Sequence, residues 1–258
     1  MAKYLTDELE LQSLADAIRA KGGTSESLAF PSGFVSAIEG IETGGGSEDH
    51  SVEDAFITRT ISGSYYNSRV TEIGKYAFNY CTSLTTINFP ACTNIESNAF
   101  YNCSSLTTVS FPACMIIGGN AFYNCSRLTV VNFPACTSIK NNAFTGCTSL
   151  TTINSPACTN IEKSAFYDCS SLTTISFPVC TNIGSNAFQY CRNLLSAYFM
   201  GSSIPSLANS NIFNYTPIGG YIVNTGVYGS IYVPASMLES YKTATNWSYF
   251  SDKFVGVE

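Results

Sequence analysis

A unit of 22 residues repeats between Ala77 and Tyr190 without a single insertion or deletion. One phenylalanine per unit makes the register visible: Phe78, Phe100, Phe122, Phe144, Phe166 and Phe188. A unit of this length is too short to bury its apolar side chains alone, and a fixed period of this size is typical of stacked structural repeats. The sequence therefore predicts a solenoid in which neighbouring units share one continuous core.

The apolar positions within a unit predict one main strand. We expect a strand from Leu84 to Phe89, with Leu84, Ile87 and Phe89, the apolar positions of the repeat, pointing into the core. Pro90 is expected to end the strand, since proline cannot donate a ladder hydrogen bond. The equivalent prolines are Pro112, Pro134, Pro156 and Pro178.

The outward positions of these strands carry hydroxyl and amide side chains. They form the candidate ligand-binding face: Thr85, Thr86, Asn88, Thr107, Thr108, Ser110, Thr129, Asn132, Thr151, Thr152, Asn154, Thr173, Thr174 and Ser176. Solenoids commonly bind partners on such a sheet, because stacking places many side chains in one surface. The alternative is that threonine is simply a favourable strand residue on a solvated sheet.

The 11 cysteines fall into two series with the same 22-residue period. An odd number cannot pair completely, and the spacing contains no close pair of the kind zinc sites use. Equivalent residues of adjacent units are separated by a distance that a disulfide tolerates, but their side chains are expected to run parallel instead of converging. We expect buried free thiols that act as small apolar side chains.

Residues 1–42 are predicted to form a small helical adaptor. Leu11, Leu14 and Ile18 form an apolar stripe on a first helix, and Phe34 and Ile38 lie on a second one. Because two short helices are marginal alone, we expect these five residues to mediate assembly, either with identical copies or with a larger particle. A Gly/Ser and acidic linker, residues 43–54, separates the adaptor from the repeats.

The repeats are expected to span residues 55–208, with a degenerate first coil at 55–76. After them, a helix is predicted near Ser236 to Thr243, and Trp247, Tyr249 and Phe250 make this terminus strongly aromatic. Residues 209–258 are interpreted as a carboxy-terminal cap, although exposed aromatic side chains there would also suit a contact surface.

Composition and charge argue against several classes of function. The formal net charge is -6 and no cluster of Lys or Arg occurs, so nucleic acid is not an expected partner. No secretory signal is recognised near Met1, no segment reaches the length of a membrane helix, and a soluble protein is expected. His50, the only histidine, lies in the linker, and Glu162 and Asp168 lack partner carboxylates, so we expect no enzyme, no cofactor and no metal site.

The unit Ala-Phe-x-x-Cys-x-x-Leu-x-x-Ile/Val-x-Phe-Pro, followed by Ile, resembles the BspA-type leucine-rich repeat over residues 55 to about 208. The resemblance implies a right-handed, curved leucine-rich-repeat solenoid without common catalytic residues, in extracellular or surface proteins linked to adhesion and protein recognition. The segment from Leu14 to Lys21, followed by Gly23-Thr24-Ser25 and Phe30-Pro31, resembles the helical head of tail-associated proteins of phages and prophages of gut Firmicutes.

These observations favour a non-enzymatic recognition or adhesion protein. In this interpretation the head attaches the chain to a phage tail or an equivalent particle, giving an oligomer or a tail assembly, and the solenoid binds a protein or glycan on a bacterial surface. One alternative is a structural spacer of a virion or particle that binds nothing. Another is a secreted bacterial surface adhesin whose signal and wall anchor lie outside this sequence.

Overall fold

The computed structural model describes residues 62–68, 70–220 and 228–258. In these residues the chain forms a parallel β-solenoid with a period of about 22 residues, which confirms the predicted leucine-rich-repeat fold class. Among the residues described, no helix is both long and apolar enough to cross a lipid bilayer.

The strands belong to two series that run along different sides of the stack. The first series comprises β1 (Ser62–Tyr66), β3 (Ser83–Asn88), β5 (Thr108–Ser110), β7 (Val130–Asn132), β9 (Thr152–Asn154), β11 (Thr174–Ser176), β13 (Ser196–Tyr198), β15 (Ser230–Pro234) and β16 (Phe254–Val257). The second comprises β2 (Glu72–Ile73), β4 (Asn94–Ile95), β6 (Ile116–Ile117), β8 (Ser138–Ile139), β10 (Asn160–Ile161), β12 (Asn182–Ile183) and β14 (Ser206–Leu207). The outward side of the first series is called the open face, and that of the second series the second face.

All strand pairs are parallel, and most join residues one repeat apart. The second series is one continuous sheet from β2 to β14, whereas the first is divided into β1-β3-β5-β7-β9 and β11-β13-β15-β16. The first complete strand lies one residue earlier than expected, at Ser83–Asn88, because Phe89 leaves the strand while its N–H still donates to the carbonyl of Ser110 (3.2 Å).

Two columns of phenylalanine rings fill the core. In the first, Phe100, Phe122 and Phe144 stack with centroid separations of 5.0 and 5.2 Å and nearly parallel planes, as predicted from the register. The second column contains Phe111 and Phe133, which stack at 5.6 Å. Such contacts add to the apolar burial that holds successive coils together.

All 11 cysteines are buried and free, which confirms the prediction of apolar thiols. In the first cysteine column the thiol donates to a carbonyl of the preceding coil, as Cys103 does to Phe78 (2.9 Å). In the second it donates two residues ahead, as Cys114 does to Ile116 (3.3 Å). Burial raises the pKa of Cys136 to about 11, so this thiol stays protonated at neutral pH.

In each coil, the segment between the strand of the second series and the next strand of the first series contains left-handed backbone at recurrent asparagine positions. Asn98, Asn102, Asn120 and Asn124 have φ values between 54° and 60°. Asparagine tolerates this conformation better than most residues because its short polar side chain bonds locally. The recurrent asparagines are therefore explained by backbone geometry.

The last coils continue the core beyond the regular period. Phe213 stacks on Phe188 at 5.6 Å although 25 residues separate them, and β15 pairs with both β13 and β16. The expected helix near Ser236 to Thr243 is present as a 3-10 turn, Ala235–Met237, followed by α1, Leu238–Thr243. Trp247 is buried behind it and donates from Nε1 to the carbonyl of Pro205 (2.6 Å).

Candidate functional site

The open face brings the predicted hydroxyl and amide side chains together in registered columns. One column contains Thr86, Thr108, Val130 and Thr152, and another contains Asn88, Ser110, Asn132 and Asn154. Thr173, Thr174 and Ser176 are exposed on and next to β11, whose strand is not paired with β9. The parallel register thus arranges chemically similar groups at the spacing of the coils.

Some side chains of this surface form hydrogen bonds between successive coils. The hydroxyls of Thr107, Thr129 and Thr151 each donate to the carbonyl of the threonine one coil earlier, at 3.0 to 3.2 Å. The amide of Asn154 donates to Oδ1 of Asn132 (2.9 Å). No hydrogen bond to Thr108, Thr152 or Thr174 side chains is formed among the described residues, so these exposed hydroxyls remain available to a ligand.

The candidate face has no ionisable side chain among the fourteen predicted residues. Recognition on it must therefore depend on neutral hydrogen bonds and on shape. Val130 interrupts the hydroxyl column and is 48% exposed, which places one aliphatic group in the middle of the face.

Tyrosines extend the amide and hydroxyl column at both ends. Tyr66 is paired with Asn88 at one end and is 65% exposed. At the other end Tyr198 is paired with Ser176 and stacks on Tyr232 at 4.4 Å. Sequence reasoning missed these three residues. Tyr66 and Tyr198 keep the 22-residue register and were within reach, whereas Tyr232 follows a longer interval.

The second face is polar and carries charged side chains. Lys140 forms an ion pair with Glu162 through Nζ and Oε1 (2.9 Å). A depression of about 450 Å³ opens on this face above Gly118 and Gly119. Sequence analysis did not single out this region, although the sequence Gly118-Gly119 departs from the repeat.

The predicted assembly residues Leu11, Leu14, Ile18, Phe34 and Ile38 lie outside the described residues, as does His50. Among residues 62–68, 70–220 and 228–258, no group of three or more His, Cys, Asp or Glu side chains is arranged to hold a metal ion. Glu162 accepts hydrogen bonds from Lys140 and from the backbone N–H of Asn141 (3.2 Å), which gives this carboxylate a structural role.

Several solved structures are similar to this chain, and the first of them supports the solenoid fold. A leucine-rich repeat protein of T. pallidum is 25% identical, with a TM-score of 0.53 over 57% of this chain and 73% of that one. A leucine-rich cell surface protein of Faecalibacterium prausnitzii is 28% identical, with a TM-score of 0.42 over 65% of this chain and 60% of that one. A leucine-rich repeat protein of Bacteroides ovatus is 20% identical, with a TM-score of 0.42 over 76% of this chain and 66% of that one. Among curated proteins no similar sequence is found.

The family comparison covers the whole array. The family model described as "BspA type Leucine rich repeat region" matches residues 52–136 and 115–227, in six copies. These residues include every strand of the open face from β1 to β13. On the evidence of the repeat pattern, the stacked core and this match over more than half of its length, the chain belongs to the BspA-type leucine-rich repeat family.

Proposed function

We propose that this protein is a non-enzymatic recognition or adhesion protein whose open face binds its partner. The observation that carries this proposal is the set of outward hydroxyl and amide groups, which is in register from β3 to β9, continues on β11 and has tyrosines at both ends. Solenoids use such extended surfaces for binding, and tyrosine is enriched in protein interfaces. Membership of a family of repeat scaffolds supports the same role.

The partner we propose is a protein or glycan on a bacterial surface. A face without ionisable groups suits a ligand that offers neutral hydrogen-bonding groups, since a charged ligand would lose hydration without gaining a counter-charge. The resemblance of the first residues to phage tail-associated heads supports a place on a tail or an equivalent particle. In that arrangement residues 1–42 assemble the chain and the solenoid faces outward to the extracellular side.

A pair of matched lysine substitutions tests the open face. Thr151 on the open face and Thr181 on the second face are both exposed, and each donates one hydroxyl hydrogen bond to a carbonyl one coil earlier (3.2 and 3.0 Å). Both substitutions therefore remove the same internal contact. We expect labelled Thr151→Lys to lose at least about tenfold in retention on a binding strain, because an unpaired charge at an interface costs more than 1.4 kcal/mol, while Thr181→Lys keeps it.

Binding is first measured with the full-length chain on a broad panel of bacterial strains. Equal loss in both variants, or in neither, would contradict the assignment of the open face. Uniform absence of binding across the panel would favour the second candidate, a structural spacer. The observation that favours a spacer is the unbroken first column of phenylalanine rings from Phe78 to Phe213, which makes the stack continuous. A secreted surface adhesin remains the alternative within the recognition class.

A further inference from the structure

On the second face, glutamate side chains at two equivalent positions accept a backbone N–H group of the preceding coil. Oε2 of Glu96 accepts the backbone N–H of Lys75 in the preceding coil (3.1 Å). Oε2 of Glu162 accepts the equivalent N–H of Asn141 (3.2 Å). A carboxylate one coil ahead thus satisfies a backbone donor that the short strands leave outside their ladder.

The two coils between these glutamates provide no such carboxylate. At the position equivalent to Glu96 and Glu162, the first coil has Gly118 and the second has Lys140, whose side chain has no acceptor. Within the described part of the chain, the N–H groups of Ser97 and Gly119 consequently have no acceptor. A Cβ at residue 118 would lie only 2.5 Å from the carbonyl carbon of Glu96, so the backbones of the two coils pack closely there and exclude a side chain at this position.

The same coil also departs from the repeat in its apolar content. Where the adjacent coils have Thr93-Asn94 and Thr137-Ser138, the coil of Gly118 has Met115-Ile116. Met115 and Ile116 are 49% and 41% exposed on an otherwise polar face. Ile116 lines the same depression as Ser97 and Gly119, and Met115 precedes it in the chain.

These departures coincide with the depression of about 450 Å³. Its lining includes Ser97, Ile116, Gly118, Gly119 and Lys140. Lys75, Glu96 and Glu162 also border it, so its charges balance, but Glu96 is bonded to the N–H of Lys75 and Glu162 to Lys140 and the N–H of Asn141. The donors that remain open favour an anion, and the exposed aliphatic groups favour an apolar neighbour of that anion.

We propose that this depression binds a peptide segment of a partner protein in which a carboxylate lies next to an apolar side chain. The carboxylate accepts the N–H groups of Ser97 and Gly119 and lies near the ammonium group of Lys140. The apolar side chain packs on Met115 and Ile116. This site is separate from the open face, and its test does not depend on the open-face proposal.

N-acetyl-leucine tests this site as a minimal probe, because its carboxylate is adjacent to an apolar side chain. In an amide NMR titration of the full chain, we expect saturable shifts of the Ser97 and Gly119 N–H signals. N-acetyl-leucinamide, which lacks the carboxylate, is expected to leave them unchanged. Lys163 provides an internal control: its N–H faces Gly184 and also has no acceptor within the described residues, but no Met-Ile pair accompanies it, so it should not respond.

Substitutions on the surface separate the two parts of the site. Lys140→Gln should weaken the probe about tenfold, as expected for loss of a charged partner. Ile116→Asn, which introduces the residue found at positions 94, 160 and 182, should weaken it about threefold through lost apolar contact. Lys163→Gln is the matched control, because Lys163 is exposed on the same face and outside the depression.

Several results would overturn the proposal. They are an absence of shifts at Ser97 and Gly119, equal shifts with the leucinamide, an equal response of Lys163, or unchanged affinity in Lys140→Gln. Glucuronate separates the ligand classes: it carries a carboxylate without an aliphatic side chain, and binding as tight as that of N-acetyl-leucine would assign the depression to acidic sugars instead of peptides. Thr151→Lys should leave the titration unchanged, so failure of the open-face proposal does not affect this test.

Discussion

Ser155 occupies a position where the neighbouring coils place a phenylalanine. The second core column contains Phe89, Phe111, Phe133, Phe177 and Phe199, and Ser155 is the member between Phe133 and Phe177. Its side chain is buried, and among the described residues its hydroxyl has no hydrogen-bond partner. The strand pairing of the open face stops at this point, between β9 and β11. We therefore expect Ser155→Phe to complete the column.

The expected stabilisation follows from three contributions. Burial of a phenylalanine side chain contributes about 2 to 3 kcal/mol, and removal of a buried unsatisfied hydroxyl contributes about 1 to 3 kcal/mol. Adjustment of the neighbouring side chains to the larger residue costs about 1 to 3 kcal/mol. The free energy of unfolding should therefore rise by roughly 2 kcal/mol.

Urea unfolding of the full chain, with Ser155→Ala as the matched control, measures this effect. Alanine removes the unsatisfied hydroxyl without filling the space, so it should raise the free energy of unfolding by roughly 1 kcal/mol. Hydrogen exchange of the residue 155 amide should also slow in Ser155→Phe, because its N–H would then bond as Phe133 bonds to Asn154 and Phe177 bonds to Tyr198, both at 3.0 Å. If Ser155→Phe is less stable than Ser155→Ala, the space is already filled and the reasoning is wrong.

Two further predictions concern the thiols and the adaptor. Burial raises the pKa of Cys92, Cys136 and Cys180 from the ordinary value of 9.0 to about 12, 11 and 12, so stability should be complete below about pH 9 and fall between pH 9 and these folded values. Each such thiol should cost about 1 kcal/mol at pH 10, and urea unfolding curves that coincide at pH 8 and pH 10 would contradict this. For the adaptor, light scattering should show a multimer for the whole chain and a monomer for a chain lacking residues 1–46; two monomers would exclude oligomerisation through Leu11, Leu14, Ile18, Phe34 and Ile38.

The sequence allowed the core to be predicted because each position has one dominant physical requirement. A strict register forces Phe122 to stack between Phe100 and Phe144, and it buries every cysteine at a fixed position of its coil. Periodicity also located the outward threonines and asparagines, since strand residues alternate between the two sides of a sheet. The same rule applied one repeat further in each direction would have included Tyr66 and Tyr198.

The remaining features could not be predicted because they depend on relations between coils. That Glu96 bonds to the N–H of Lys75, 21 residues earlier, follows from how the backbone turns and not from the apolar pattern. The continuation of the core to Phe213 was hidden because the interval from Phe188 is 25 residues. Strand pairing stops beside Ser155, which a repeat consensus treats as a simple departure.

A regular solenoid presents nearly the same surface at every coil. Regularity alone therefore cannot select the position along the stack at which a ligand binds. Selectivity requires coils that differ from their neighbours. On the open face the differences are Val130 and the terminal tyrosines, which all remain paired with their neighbours on the adjacent strands. On the second face a single coil changes both its backbone chemistry, at Gly118, and its side chains, at Met115 and Ile116. Close backbone packing explains the glycine at position 118. The exposed Met115 and Ile116 have no such explanation, since they replace threonine and asparagine side chains that bond between coils elsewhere, and this is why we assign the depression to a ligand.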